Sequence, residues 1–295
     1  DMYQSTRNIF ITCNQRMSEW VKQEVEDLGY RVDAVFKTGV SLKGNFTDCI
    51  RLNLHLRCAG QVLLSLKKFQ AQHSNDVYAL LTQLPWEEII PEDGYFSVTS
   101  HVRNETVTNP LFVNVRIKDA IVDRFRERTG KRPDSGPALS GVVVHLHWIN
   151  NDAELFLDTS GETLAKHGYR KIPGKAPMIE ALACATILAS RWNRTTPFIN
   201  PMCGSGTLAI EAALLATRKY PGWFRSNYSF MHTCGYDASV YLQEKRAMQA
   251  KKTNLTGKYF VASDISADAI EIAQVNAKVA GVEDLIVFKQ CSNNT

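Results

Sequence analysis

A chain of 295 residues, 44% hydrophobic and 22% charged, has the composition of a soluble globular protein and is long enough for two or three domains. No apolar run approaches the roughly 18 residues that a membrane span needs. Seven scattered cysteines (Cys13, Cys49, Cys58, Cys184, Cys203, Cys234, Cys291), without a Cys-x-x-Cys pair or a secretory apolar region near the start, fit a reducing, cytoplasmic setting.

In chain order, "NIFITC" reads as a strand and "MSEWVKQEVEDLG" as a helix, with Trp20, Val21, Val25 and Leu28 at helical spacing. "VDAVFKTGVSLKG" and "IRLNLHL" then read as strands, completing a small α+β unit over residues 1–66. A second unit over 67–158 opens with helix "SNDVYALLTQLPWEEII", broken near Pro85. It continues through strand "YFSVTSHV", helix "NVRIKDAIVDRFRERTG" and strands "GVVVHLHWI" and "ELFLDTS", the last two joined by a turn at Asn150-Asn151-Asp152. From 159 to 295 the grammar changes. A Gly- and Pro-rich linker leads into helix "MIEALACATILASRWN", strand "PFIN", helix "LAIEAALLATRK", an aromatic insertion, helix "ASVYLQEKRAMQAKK", strand "YFVASD", helix "DAIEIAQVNAKVAG" and strand "LIVFKQ". Alternating strands and helices imply a parallel, doubly wound sheet.

Charge is unevenly spread. Between Arg116 and Arg132 seven basic residues (Arg116, Lys118, Arg124, Arg126, Arg128, Lys131, Arg132) stand against three acidic ones (Asp119, Asp123, Glu127), an excess equal to the +4 of the whole chain. Such a run is either a solvated helix face or a surface for nucleic-acid phosphates.

The chemistry concentrates in "INPMCGSGTLA". Pro201 has no N–H for a sheet ladder, so the strand should end at Asn200, while Gly204 and Gly206 permit close ligand approach. The loop feeds free N–H groups into a helix start, which attracts anions. No Lys follows Gly206, which argues against a phosphate loop, and Ala209 in third-glycine position makes the dinucleotide pattern weak. Asp264, at the end of the next strand, suits two vicinal ribose hydroxyls, although it lies well beyond the roughly 20 residues of a compact dinucleotide unit. It could equally cap the helix that follows it.

His145 and His147 share a strand face, and His232 lies near Cys234, but neither pair has further ligands nearby in sequence, so no metal is expected. Ser205 lacks the spacing of a hydrolase elbow. Trp223, Phe224, Tyr228 and Phe230 could stack on unpaired bases or form local core.

"LDTSGETLAKHGYR", "KAPMIEALACATILAS", "INPMCGSGTLAIEAALLAT" and "ASDISADAIEIAQVNAKVAGV" resemble, in order and spacing, the THUMP-containing Rossmann-like RNA methyltransferases, in particular the RlmL-like bacterial large-subunit ribosomal RNA guanine-N2 enzymes. The resemblance implies a ferredoxin-like unit, a THUMP RNA-binding unit touching RNA through Arg116, Lys118, Arg124, Arg128, Lys131 and Arg132, and a Rossmann-like methyltransferase domain. It further implies that S-adenosylmethionine is bound by Asn200, Pro201, Met202, Cys203, Gly204, Ser205, Gly206, Thr207, Asp264 and Ile265, with Ala176, Pro177, Met178 and Glu180 close by. The family's usual acid at the end of the first methyltransferase strand is Asn200 here, and the acid after the third strand falls at Ser292. The Asn-Pro-Pro-Tyr type motif with which these enzymes grip the target base is absent, since the chain has no Pro-Pro pair. The catalytic residues are thus unassigned, and the chain, which starts at Asp1, is expected to be part of a longer protein with its methyltransferase domain incomplete at the carboxyl end. An rRNA guanine-N2 methyltransferase is the leading expectation; a transfer RNA guanine-N2 or adenine-N6 enzyme, or a non-catalytic RNA-binding protein, are the alternatives.

Overall fold

A computed structural model describes residues 1–172, 174–175, 177–257 and 259–291; Ala176 and Ser292 lie outside the described residues. Strand β1 (Arg7–Thr12), helix α1 (Ser18–Asp27), strands β2 (Ala34–Phe36) and β3 (Gly39–Gly44), helix α2 (Phe46–His55) and strand β4 (Val62–Gln70) make a ferredoxin-like unit with strand order β2-β3-β1-β4. Helix α1 buries Val21 and Val25, as its spacing predicts.

The stretch "IRLNLHL", expected as a strand, is helical and belongs to α2. A capping box starts it, with Asn45 and Asp48 exchanging hydrogen bonds between side chain and backbone. Its apolar residues alternate because the helix is enclosed, not because one face is wet. One side packs on the sheet, and the other meets the aromatic insertion, where Gly222 lies so close that a Cβ would be 2.7 Å from Leu54.

The second unit comprises α3 (Ser74–Leu81), a 3₁₀ turn at Trp86–Glu88 after Pro85, β5 (Tyr95–Arg103), α4 (Pro110–Thr129), the two-residue β6 (Asp134–Ser135), β7 (Val142–Ile149) and β8 (Asp152–Asp158). Asn150 takes the left-handed conformation (φ 54°) that the β7–β8 hairpin requires and that Asn tolerates. Strand β4, unassigned in the sequence, pairs with β1 on one side and β8 on the other, giving one eight-stranded sheet in the order β2-β3-β1-β4-β8-β7-β5-β6. A bulge between Ser65 and Lys67 shifts its register, and the expected domain boundary at residue 66 falls there, inside the strand.

The third unit contains α5 (Glu180–Ala189), β9 (Phe198–Asn200), α6 (Thr207–Ala216), α7 (Ala238–Gln249), β10 (Phe260–Asp264), α8 (Ala267–Ala280) and β11 (Ile286–Gln290). Its strands form a parallel sheet in the order β11-β10-β9. Two aromatics of the insertion between α6 and α7 are core, since Tyr228 and Phe230 stack at 5.0 Å and are fully buried, with Phe46 of α2 edge-on to Phe230, whereas Trp223 and Phe224 are half-buried.

Polar groups lock this unit to the first. Arg51 of α2 makes two hydrogen bonds, at 3.0 and 2.8 Å, to Glu244 of α7. Deeper in, Glu211 of α6 has no exposure; its Oε1 pairs with His167 Nδ1 at 2.6 Å and accepts from Tyr169 Oη at 2.8 Å. His167 Nε2 meets the Arg57 carbonyl at 2.7 Å. With Glu211 ionised both partners of the imidazole accept, an arrangement that favours the doubly protonated ring; burial alone would lower its pKa, but the Glu211 charge and hydrogen bond outweigh that and raise it. Glu24 of α1 accepts from the N–H groups of Arg57 and Cys58, holding the same turn from its other side.

Removing Glu211 should strand a buried imidazole, and Glu211→Ala is expected to lose about 3–5 kcal/mol in urea unfolding. The His167 contribution is complete below pH 6.5, the ordinary imidazole value, and is lost as pH rises through the higher folded value. Wild-type stability should therefore fall over that window more steeply than that of His167→Gln.

Candidate functional site

Strand β9 stops at Asn200, and the chain turns through Pro201 to Gly206 into α6. Three left-handed residues make the turn: Met202 (φ 53°), Gly204 (φ 53°) and Gly206 (φ 83°). Gly206 is fixed by packing as well, since a Cβ there would lie 2.9 Å from the Cβ of Ala273 on α8. At Gly204 no described residue comes within 4 Å of where its Cβ would be. Residue 200 pairs with residue 262, so the tips of β9 and β10 lie side by side. Two bonds join the loop to β10: Cys203 N–H to the Ser263 carbonyl at 2.8 Å and Gly204 N–H to Asp264 Oδ2 at 3.0 Å. Asp264 Oδ1 accepts from Ser266 N–H at 2.9 Å. Ser266, not Asp264, is the N-cap of α8, which leaves the carboxylate at the crevice between the two strands.

The loop offers binding groups rather than a nucleophile. Asn200 is 6% exposed, and its buried Oδ1 has no hydrogen-bond partner among the described residues. The first turn of α6 presents N–H groups that no helical carbonyl takes. Burial and the Asp264 charge push the Cys203 thiol up to about 11, far from a thiolate at neutral pH. The Ser205 hydroxyl is 3.2 Å from that of Thr207. Met202 and Ile265, 72% and 73% exposed, flank the crevice with apolar surface.

Asn276 of α8, absent from the residues expected in the site, holds the loop from behind. It is fully buried; its Nδ2 donates to the carbonyls of Ser205 and Ile172, and its Oδ1 accepts from Lys171 N–H at 3.2 Å. The signal was one polar residue on the helix face otherwise formed by Ala273, Ala277 and Ala280. Pro177 and Met178 lie on the approach to α5 and Glu180 is its first residue; Arg170 Nη1 donates to the Met178 carbonyl and Nη2 to Glu180 Oε2.

The basic helix α4 divides into two groups. Arg124, expected to face RNA, is instead sequestered: its side chain is 11% exposed and makes bonds of 3.1 and 2.7 Å to Glu87 of the 3₁₀ turn. Its guanidinium holds the Glu87 carboxyl below the usual carboxylate range. Arg116 lies over the Tyr78 ring at 4.2 Å and bonds Asn75, and Lys118 borders a groove with Phe96, Val98 and Pro137. Arg128, Lys131 and Arg132 are exposed; Lys131 has only a loose 3.7 Å pairing with Glu92, and Arg132 bonds Ser135. His147 stacks on His101 at 5.4 Å, His145 bonds Thr99, and His232 bonds Asn227. Among the described residues no cluster of three or more His, Cys, Asp or Glu is arranged to hold a metal ion, and no helix is long and apolar enough to cross a membrane.

Comparison with known proteins agrees with this architecture. Residues 8–63 match the RlmL ferredoxin-like domain, 71–158 the THUMP domain and 167–295 the RMKL-like methyltransferase domain. The ribosomal RNA large subunit methyltransferase K/L of Buchnera aphidicola is 33% identical over 96% of this chain, which spans 41% of that protein's length. Among solved structures, a predicted N6-adenine-specific DNA methylase from Listeria monocytogenes superposes with a TM-score of 0.88 at 30% identity, covering 97% of this chain and 75% of that one. A candidate methyltransferase complexed with SAH gives 0.86 at 27% identity, covering 98% and 76%. The chain belongs to the methyltransferase family in which an RlmL ferredoxin-like domain, a THUMP domain and an RMKL-like methyltransferase domain follow one another along one polypeptide.

Proposed function

We propose that the chain is part of an S-adenosylmethionine-dependent RNA methyltransferase that modifies the exocyclic N2 of a guanosine in large-subunit ribosomal RNA. The observation that carries the cofactor assignment is Asp264, whose carboxylate stands at the tip of β10 one hydrogen bond from Gly204. Each of its oxygens accepts one backbone N–H and retains capacity for a ribose hydroxyl. The other residues fit the same molecule. The unpartnered Asn200 Oδ1 suits an ammonium group, the open face of Gly204 admits a ligand against the backbone, and the loop's lack of a phosphate-binding Lys suits a cofactor without phosphate. Pro201, Met202, Cys203, Ser205, Gly206, Thr207 and Ile265 would line the cradle. Bound, the cofactor supplies an electrophilic methyl group on a sulfonium. The chain's own residues hold it in place and keep water from it.

Support for ribosomal RNA comes from the name of the Buchnera relative and from the THUMP match. On α4 and the turn after it, Arg116, Lys118, Arg128, Lys131 and Arg132 would meet phosphates, while Arg124 holds the helix to the 3₁₀ turn. The Listeria neighbour's description favours a second reading, an adenine N6 acceptor, because the same cradle would serve either amine. Mass spectrometry of methylated nucleosides from RNA treated with the full-length enzyme separates the two: N2-methylguanosine supports the first reading, N6-methyladenosine the second.

Calorimetry on the full-length protein should detect S-adenosylmethionine binding, and Asp264→Ala should weaken it at least tenfold. A folded wild type that gives no heat of binding would turn the assignment towards a non-catalytic RNA-binding protein. Reversing Arg128 and Lys131 together to Glu should weaken RNA binding and lower the slope of log affinity against log salt by about 2, with cofactor affinity unchanged; an unaltered slope would remove these residues from the interface.

A further inference from the structure

Arg170 lies in the linker "AKHGYRK", outside the glycine loop and outside the residues assigned so far to cofactor or RNA. Its guanidinium nevertheless reaches the start of α6. Nη1 donates to the Met178 carbonyl at 2.6 Å and approaches Thr207 Oγ1 at 3.4 Å, while Nη2 pairs with Glu180 Oε2 at 3.1 Å. Both side chains of this ion pair are withdrawn from solvent, at 10% and 2% exposure. Taking two charges into such a position is costly, and an apolar pair would close the same gap without that cost. No described residue takes the Nε–H or the second Nη2–H of Arg170.

The surroundings state what those donors are for. Thr207 is the first residue of α6, whose free N–H groups and positive dipole end favour an anion beside it. At the other end of the loop the 94% buried Asn200 presents an acceptor that no described residue satisfies. The linker passes directly over the loop, Gly174 lying 3.7 Å from Ser205 at its Cβ position. An acceptor at one end and cationic donors at the other match the two charges of an amino-acid tail.

Resting on the cofactor reading above, we propose that Arg170 is the residue that fixes the α-carboxylate of the cofactor's amino-acid tail, with Glu180 and the Met178 carbonyl holding its guanidinium at the helix start. Lysine cannot replace it, because an ammonium cannot serve Glu180, Met178 and a carboxylate in one plane.

The test compares two probes on the full-length protein: S-adenosylhomocysteine, which carries the tail, and methylthioadenosine, which keeps the nucleoside and the sulfur but lacks it. Arg170→Gln and Arg170→Lys should each weaken S-adenosylhomocysteine at least tenfold and leave methylthioadenosine within twofold of wild type. Because methylthioadenosine binding requires a folded crevice, it also reports integrity in the same sample. Equal losses for both probes in a variant that still melts cooperatively, or no loss for either, would overturn the assignment. Wild type binding neither probe would overturn the cofactor reading itself and this proposal with it.

Discussion

Glu211 is a carboxylate placed wholly out of solvent on the helix that begins at the glycine loop, and its burial there depends on the hydrogen bonds that His167 and Tyr169 bring to Oε1, since Oε2 has no partner among the described residues. That requirement reaches far. His167 is anchored in turn on the carbonyl of Arg57, and the turn containing Arg57 is gripped by Glu24 of α1. A line of hydrogen bonds thus runs from the first unit of the chain, through the linker, to the helix that begins at the glycine loop. The orientation of that loop relative to the eight-stranded sheet is consequently set by buried polar geometry, which is far less forgiving of displacement than apolar packing.

The loop itself is held by side chains that come from elsewhere. Asp264 reaches it from β10, Asn276 from α8 and Arg170 from the linker, while Ala273 packs against the one position where only glycine fits. A loop restrained from three directions before a ligand arrives loses little freedom when one binds.

Much of this was legible from the residues. The order strand, Gly-rich turn, helix, strand ending in Asp264 emerges from local pattern, because each step is signalled by a nearby residue: Pro201 ends a strand, Gly206 opens a helix, Ser266 caps the next. Helices with one wet face, such as α1 and α8, were likewise readable. Helix α2 was not, because enclosure on both sides removes the polar stripe that marks a helix and leaves an alternation that imitates a strand. Strand β4 escaped for the converse reason, opening on the apolar run Val62–Leu64 and then carrying Ser65, Lys67 and Lys68, so that no single period covers it. The roles of Arg124 and Asn276 depend on partners distant in the chain. Nothing local distinguishes Arg124, paired with Glu87, from Arg128, one turn on and exposed.

The shared strand β4 has a consequence for how such proteins can be taken apart or recombined. Its backbone donors and acceptors are spent on β1 at one edge and β8 at the other, so a cut near residue 66 would leave raw ladder on both fragments. The first two units therefore travel as one block, and a chimera that transplanted the THUMP region alone onto another domain would carry an unpaired strand edge with it.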